Sequence, residues 1–364
     1  MSIKKYYKVR YINAKAPYGL NEMFIIDEMI ALKKYDVKLI IFARDENKKI
    51  YHNTGKILIP NTFVIPIINA KIIILLITSL FFKKEVRKVF YYILKNSRNI
   101  RILFKNLYFF PKSLYITRII KDSKIDHIHA HWGSTTSTMA FIIAELTNIP
   151  WSFTLHSWDI YENNLLNLKI KSAKFVRCIS QKGKKDTLKI IGEKYNSKIK
   201  VIHMGVEIPK LDFNKIKSKI EKLNRNKQIK IVFVGSLTEV KGTIYLINAI
   251  KKLVKLGYKN IRVDIYGIGE LRESLEKRVS NLGIRNNVNF KGSVSNNILL
   301  KTYMNYKYDI FILPSISYKN THEGIPVSLM EAMAHGIPVI STKTGSINEL
   351  IDDKCGILVE DKNV

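Results

Sequence analysis

The chain has 364 residues, 46% hydrophobic, 10% aromatic and 25% charged, which fits two globular domains and excludes disordered, collagenous and disulfide-built classes. Its 61 Lys and Arg against 30 Asp and Glu give a formal charge of +31. That balance points to polyanions (nucleic acid, anionic lipid, phosphorylated ligands), or to nothing beyond a composition rich in Lys, Ile and Asn.

The amino terminus is basic, with Lys4, Lys5, Lys8 and Arg10, and runs into Asn13 and Pro17 rather than an apolar segment. No secretory signal is read there, and a cytoplasmic protein is expected. An amphipathic helix over 23–34 and a strand over 37–42 follow. The most apolar stretch lies between 57 and 82, interrupted by Pro60, Asn61, Pro66, Asn69 and Lys71. The uncharged run that remains, 72–82, spans about 16 Å as a helix, roughly half a hydrocarbon core. Behind it Lys83, Lys84, Arg87 and Lys88 begin a basic series interleaved with Phe90, Tyr91, Tyr92 and Phe104. Residues 57–124 therefore read either as a peripheral element for an anionic membrane surface or as a buried helix followed by a solvated helical face.

Further along, strands are expected over 126–130, 151–155, 175–179 and 200–203, with a helix over 134–148. Residues 1–205 then form one Rossmann-like domain. A polar stretch over 206–229 reads as a linker, and the alternation restarts in 230–364. There strands are expected over 231–234, 262–266, 288–290, 310–313 and 339–341, and helices over 243–256, 271–281 and 326–334. The fold class is α/β, two tandem doubly wound parallel-sheet domains facing across a cleft, which is the default active site. Cys178 and Cys355, one in each half, make no disulfide framework and match no metal spacing, so a reducing compartment is expected.

The most informative segment carries Glu323, Gly324, Ile325, Pro326, Val327 and Glu331, two carboxylates with seven residues between them. Pro326 suits the first helical turn, which leaves Glu323 in the preceding loop and Glu331 within the helix. Free backbone N–H groups at that helix start make an anion site suited to phosphate. Glu331 is placed to reach a neutral diol such as a ribose, and Glu323 sits where a sugar would hang. Taken alone, such a pair also fits two solvated helix carboxylates.

The run EGIPVSLMEAMAHGIPVISTKTGSINELI resembles the donor-binding segment of glycosyltransferase family 4, whose members have the GT-B fold. Glu323 and Glu331 match that family's E-x7-E motif. VFVGSLTEVKG, residues 232–242, resembles its glycine-ended strand and diphosphate loop, with Lys241 matching the phosphate-binding lysine. PYGLNEMFIIDEMIALKKYDVKLIIFA is similar to the opening loop, first helix and second strand, and places Gly19 in a loop that ligand approaches closely. DHIHAHWGSTTSTMAFIIAELTNIPWSFTLHSWDIY, residues 126–161, resembles the subgroup of colanic-acid-type polysaccharide glycosyltransferases. The similarity runs from about residue 11 to 360 and is weakest between 45 and 120.

The resemblance implies a retaining transferase that moves a sugar from a UDP- or GDP-sugar to a glycan or lipid-linked acceptor in capsule, exopolysaccharide or lipopolysaccharide assembly. No cofactor or metal would be required. Gly235, Ser236, Lys241 and the amides of Gly324 to Val327 would hold the diphosphate, Glu331 the ribose, and the loop of Gly292, Ser293 and Val294 the base. Glu323 would orient the donor sugar, His156 would act beside the transferred sugar, and Asp159 and His131 would lie on the acceptor side.

Other readings stand beside this one. His127, His129 and His131 alternate along a strand, so all three face one way, which is compatible with a zinc site. Gly267 and Gly269 hint at a dinucleotide fold, but Arg272 occupies the third glycine position. No nucleic-acid module is present, and no specific nucleic-acid partner is expected. Ser236 stands where relatives commonly carry Arg, and the chain ends at Val364, where relatives usually continue through further helices. Those departures keep open a catalytically degenerate, polyanion-binding protein of the same fold. A storage-glucan enzyme of the glycogen synthase type is disfavoured by the amino-terminal resemblance.

Overall fold

The computed structural model describes residues 6–19, 22–51, 53–223, 228–319 and 321–364; Lys4 and Lys5 lie outside them. The chain divides into two compact units, Met1–His203 and Met204–Val364.

The first unit runs β1 (Tyr7–Asn13), α1 (Met23–Lys33), β2 (Val37–Ala43), β3 (Thr62–Val64), α2 (Ala70–Phe82), α3 (Lys84–Asn96), α4 (Ile100–Ile120), β4 (His127–His131), α5 (Thr135–Thr147), β5 (Trp151–Leu155), α6 (Trp158–Glu162), α7 (Leu166–Ser172), β6 (Phe175–Cys178), α8 (Gln181–Ile191) and β7 (Ile199–Val201). Its strands form one parallel sheet in the order β3-β2-β1-β4-β5-β6-β7. Strands covered on both faces need apolar side chains on both, and β2 supplies them as VKLIIFA, whereas β5, WSFTL, turns Trp151, Phe153 and Leu155 to one core and Ser152 and Thr154 to the histidines of β4. One face of the sheet packs Val9, Tyr11 and Leu39 against Ile25, Ile26 and Met29 of α1. The other packs Ile12, Phe42 and Ile128 against helices α2 to α5, and α5 is buried from Thr135 to Ala144.

Side-chain oxygens cap three of the helix starts in this unit. Asn69 and Asn99 cap α2 and α4 by accepting from the Ile72 and Ile102 amides, and Ser180 caps α8 through the Gly183 amide. The apolar run of 72–82 is helical, but it is not a buried helix. In α2 only Ile72 and Ser79 are buried, while Phe81 and Phe82 are 74% and 84% exposed and Ile73, Ile74 and Ile77 also face outward. No described helix is long and apolar enough to cross a membrane.

The second unit runs α9 (Phe213–Leu223), β8 (Ile229–Val234), α10 (Thr243–Lys255), β9 (Ile261–Tyr266), α11 (Arg272–Asn281), β10 (Val288–Gly292), α12 (Asn296–Met304), β11 (Ile310–Leu313), α13 (Val327–Ala334), β12 (Val339–Thr342) and β13 (Ile357–Val359). The polar stretch expected as a linker thus holds α9, which Lys219 anchors to Asp309 at 3.0 Å. The sheet is parallel in the order β10-β9-β8-β11-β12-β13, around a core of Val232, Phe233, Val263, Ile265, Phe311, Leu313 and Leu329.

Both sheets reverse their winding once. In the first the chain moves outward from β1 to β3 and returns beside β1 as β4; in the second it moves from β8 to β10 and returns beside β8 as β11. Doubly wound sheets bind ligands beyond the carboxyl ends of their strands at such reversal points.

Candidate active site

In the second unit the loops that leave β8 and β11 meet at the reversal point. Lys241 follows β8, Glu323 follows β11, and the Lys241 ammonium contacts Glu323 Oε1 directly. Ser315 donates from Oγ to the same oxygen at 3.4 Å. The lysine stem crosses Gly235, where a Cβ would stand 3.5 Å from Lys241 Cδ. Two further glycines let the loops touch. Gly242 has φ +61° and a Cβ there would come 1.9 Å from the Pro314 carbonyl oxygen; Gly345 has φ +60° and would come equally close to the carbonyl of Glu323.

Helix α13 begins at Val327, one residue later than its proline suggests, because Pro326 is the N-cap with extended backbone. The Pro326 carbonyl accepts from the Leu329 and Met330 amides at 3.2 Å each. The Val327 and Ser328 amides have no such partner among the described residues, so they remain the orphan donors of the helix start. Glu331, buried in the second turn, accepts from Asn296 Nδ2 at 2.7 Å. That bond ties Glu331 to the turn of Gly292, Ser293 and Val294, which precedes α12. Gly235, Lys241, Glu323, Gly324, Ile325 and this turn belong to the carboxyl-end loops of one sheet, with Glu331 on the helix that follows; Ser236 is exposed beside them and Ile325 points inward. Asn296 was not singled out in the sequence, because an Asn in an Asn-rich chain carries no signal of its own.

In the first unit the reversal point lies between β1 and β4. The register sets Tyr11 beside His129, and strand alternation brings His127, His129 and His131 to one face, as expected. His131 is fully buried at the end of β4, with its Nε2 3.2 Å from Glu28 Oε1 on α1 and its Nδ1 3.3 Å from His156 Nε2. The guanidinium of Arg177 on β6 pairs with the other Glu28 oxygen. Burial pushes the Glu28 carboxyl up, but His131, its hydrogen bond and Arg177 together outweigh that and hold it well below the usual carboxylate range. Burial, reinforced by neighbouring cations, pushes His129 and His156 well down and His127 down to about 4. An ionised Glu28 only accepts, so His131 carries a proton on Nε2. A neutral His131 accepts at Nδ1 from His156 Nε2–H, whereas a cationic His131 donates from Nδ1–H to His156 Nε2, so the tautomer of His156 follows the charge of His131.

His156 is also clasped by aromatic rings, with centroids 4.2 Å away for Trp132 and 5.2 Å for Phe24. Asp159 lies beneath His156 in the same loop. It is wholly buried, and its carboxylate accepts from the backbone amides of Gly133 at 2.7 Å, His156 at 3.0 Å and Ser157 at 2.9 Å. Across the same turn, Lys169 donates to the carbonyls of Gly133 and Ser134 at 2.9 and 2.8 Å. Asp159, by bonding amides of both turns, and Lys169, by holding the carbonyls of the Gly133–Ser134 turn, brace the loop on which His156 stands. At Gly19 a Cβ would meet Glu22 Oε2 at 2.9 Å, and that buried carboxylate folds the loop by accepting from the Lys15 and Ala16 amides.

Glu28, His129 and His131 bring ligand atoms within 4.8 Å of one another. The donor set is nevertheless spent on protein partners. His129 is bonded through its two nitrogens to Ser152 at 2.8 Å and Thr154 at 3.1 Å, and Arg177 already neutralises Glu28. Asn13, at the end of β1, is fully buried with neither amide atom hydrogen-bonded among the described residues. Neither Glu28 nor Arg177 carried a sequence signal, since both depend on contacts between distant elements.

Residues 31–209 match the family model for Glycosyltransferase Family 4, and residues 214–364 match that for Glycosyl transferases group 1. An uncharacterised glycosyltransferase of Methanocaldococcus jannaschii is 30% identical over 265 residues, 67% of this chain and 65% of that protein. The UDP-galactose:GlcNAc-diphosphoundecaprenol α-1,3-galactosyltransferase of Escherichia coli is 28% identical over 280 residues, 68% of this chain and 65% of the relative. A protein of the same species named for colanic acid biosynthesis, WcaL, is 34% identical over 168 residues, 46% of this chain and 39% of WcaL. The alignments thus span less than two thirds of these relatives' own lengths. Anabaena HepE, solved with UDP and glucose, superposes with a TM-score of 0.69 at 16% identity, over 98% of this chain and 87% of HepE; it shares the fold.

Proposed function

The chain belongs to glycosyltransferase family 4, and we propose that it moves a sugar from a nucleoside diphosphate sugar to a glycan or lipid-linked acceptor, with retention at the anomeric carbon. The observation that carries this reading is the Lys241–Glu323 pair at the reversal point of the second sheet, beside the orphan amides of α13. In the reaction the bond from the anomeric carbon to phosphate oxygen breaks with its electron pair going to the diphosphate, a bond to the acceptor oxygen forms, and the acceptor hydroxyl's proton passes to the departing diphosphate. The group that leaves is a diphosphate, so the largest protein contribution is stabilisation of its growing charge, worth several kcal/mol by analogy with oxyanion sites.

Lys241 and the Val327 and Ser328 amides would neutralise that diphosphate, and Ser236 would add a neutral donor where relatives have a cation. Glu323, which the Lys241 ammonium contacts, would turn to the hydroxyls of the donor sugar once phosphate takes over the ammonium. Glu331 would take the ribose and the Gly292 to Val294 turn the base. His156 would line the acceptor side with His131 behind it. A UDP-sugar is the first donor to try, because the E. coli galactosyltransferase relative is named for one.

That relative's lipid-linked acceptor also suits the outward face of α2 and α3. Phe81, Phe82 and Ile74 stand exposed next to exposed Lys83, Lys84, Arg87 and Lys88, the pairing of apolar and cationic groups that holds a helix to an anionic bilayer surface. Cell-surface polysaccharide assembly at the cytoplasmic face of the membrane is the proposed setting.

The test is thermal-shift binding against a panel of nucleotide sugars and free nucleotides, repeated with Lys241→Ala. A ligand at 100 times its dissociation constant adds about 2.7 kcal/mol. Stabilisation by one donor, lost in the variant, supports the reading; no shift with any nucleotide overturns it.

A further inference from the structure

A second concave site lies at the opposite, amino-terminal edge of the first sheet. It is a depression of about 600 Å³ lined by Lys8, Arg10, Lys33, Lys38, Asn61 and Lys124, among other residues, with no carboxylate in its wall among the described residues. Arg10 sits in the middle of β1 between Ile40 of β2 and Ile128 of β4. It is only 8% exposed, yet has no ion pair or side-chain hydrogen bond among the described residues. Burial alone acts on its guanidinium, pushing it down, and no acid offsets that. Asp126, which leads into β4, spends one oxygen on the Lys8 amide at 2.7 Å. Lys8 and Lys38 are direct neighbours in the β1–β2 register, two like charges side by side.

A buried cation without a partner is costly, and adjacent like charges add to the cost. Lysines after α1 and α4 are ordinary at helix carboxyl ends, but Arg10 is in a strand and has no such reason. A planar guanidinium with its donors open toward a basic concavity matches the oxygens of a phosphate group. We propose that this depression binds a small phosphate-bearing anion seated on Arg10, at the edge of the sheet remote from the strand ends that carry His131 and Asn13.

The experiment uses the full chain in phosphate-free buffer at fixed ionic strength, with inorganic pyrophosphate as probe and melting temperature as readout. A Lys241→Ala background removes the main contact of the proposed donor site, so the outcome is independent of that reading. The melting temperature should rise with the logarithm of pyrophosphate concentration, and Arg10→Met should abolish the rise. Without ligand, Arg10→Met should melt no lower than its parent, since it removes an unpaired buried charge. Lys38→Gln with Lys124→Gln, both at exposed positions that leave folding intact, should weaken apparent affinity at least about tenfold. Equal shifts with and without Arg10, a ligand-free Arg10→Met protein that is clearly destabilised, or an unaffected Lys38 and Lys124 double variant overturns the proposal. Flotation on phosphatidic acid vesicles distinguishes the source. Arg10-dependent flotation without a pyrophosphate shift assigns the phosphate to a lipid headgroup, and neither effect overturns the site.

Discussion

Lys241 and Glu323 leave different strands of the second sheet and meet ammonium to carboxylate at the point where its winding reverses. Two opposite charges that meet at this point can each exchange that partner for a ligand group. Lys241→Ala should lower transfer at least about a hundredfold, the scale on which one charge-stabilising donor matters. Glu323→Gln should impair transfer while leaving the melting temperature within a few degrees, because the pair is partly exposed. Single-turnover assays with the donor found by thermal shift check both; wild-type rates in either variant remove that residue from the reaction.

The Glu28–His131–His156 chain makes a spectroscopic prediction. Nitrogen NMR of the imidazoles should find His131 protonated on Nε2 and, where His131 is neutral, His156 as its Nε2–H tautomer. Glu28→Gln supplies an amide that donates as well as accepts, so both tautomers should become mixed and transfer should fall about tenfold or more. An Nδ1–H tautomer of His156 beside neutral wild-type His131 contradicts the arrangement. Transfer should also persist in chelator, because the donor atoms of the histidine strand are already bonded to protein.

Much of this geometry was legible in the chain. The E-x7-E spacing, the glycine-ended strand and Lys241 identify one set of loops because short motifs sit at fixed distances from the strand ends that carry them. Alternation alone put the three histidines on one face. What escaped were partners supplied by another element: Glu28 from α1, Arg177 from β6 and Asn296 from α12 lie near no motif, and their roles exist only once strands pair and helices pack. Asp159 and Gly19 show the complementary limit. Each lies in a recognisable segment, but the bonds of Asp159 to the Gly133, His156 and Ser157 amides and the approach of Glu22 to Gly19 depend on the fold of the loops themselves.

Acid should destabilise the first unit. His127, His129 and His156 have folded-state affinities for protons below that of a free imidazole, so the unfolded chain binds more protons. Their stabilising contribution is fully present above about pH 6.5 and is lost as pH falls toward the folded values, for His127 down to about 4. That residue alone accounts for about 3 kcal/mol over the window. Raised carboxyls at Glu22 and Asp159 act in the opposite sense. Melting temperature measured from pH 8 to pH 4 should fall through this window, with a shallower slope in His127→Gln.

Membrane attachment has its own test. Liposomes containing anionic lipid should float the protein at low salt, and Phe81→Ser with Phe82→Ser should reduce flotation severalfold without changing the fold, because both rings are exposed. Retention equal to wild type in that variant assigns the surface no part in attachment.

The glycine contacts at Gly242 and Gly345 bear on how such a protein can diversify. Gly242 presses on the carbonyl of Pro314 and Gly345 on that of Glu323, so the connections after β8, β11 and β12 are fitted to one another in length as well as in shape. A residue inserted in any one of them shifts the other two. Ligand preference on this side is therefore open to exchange of rim side chains such as Ser236 and closed to insertion and deletion, so homologues with altered preference should differ there in residue type and agree in spacing.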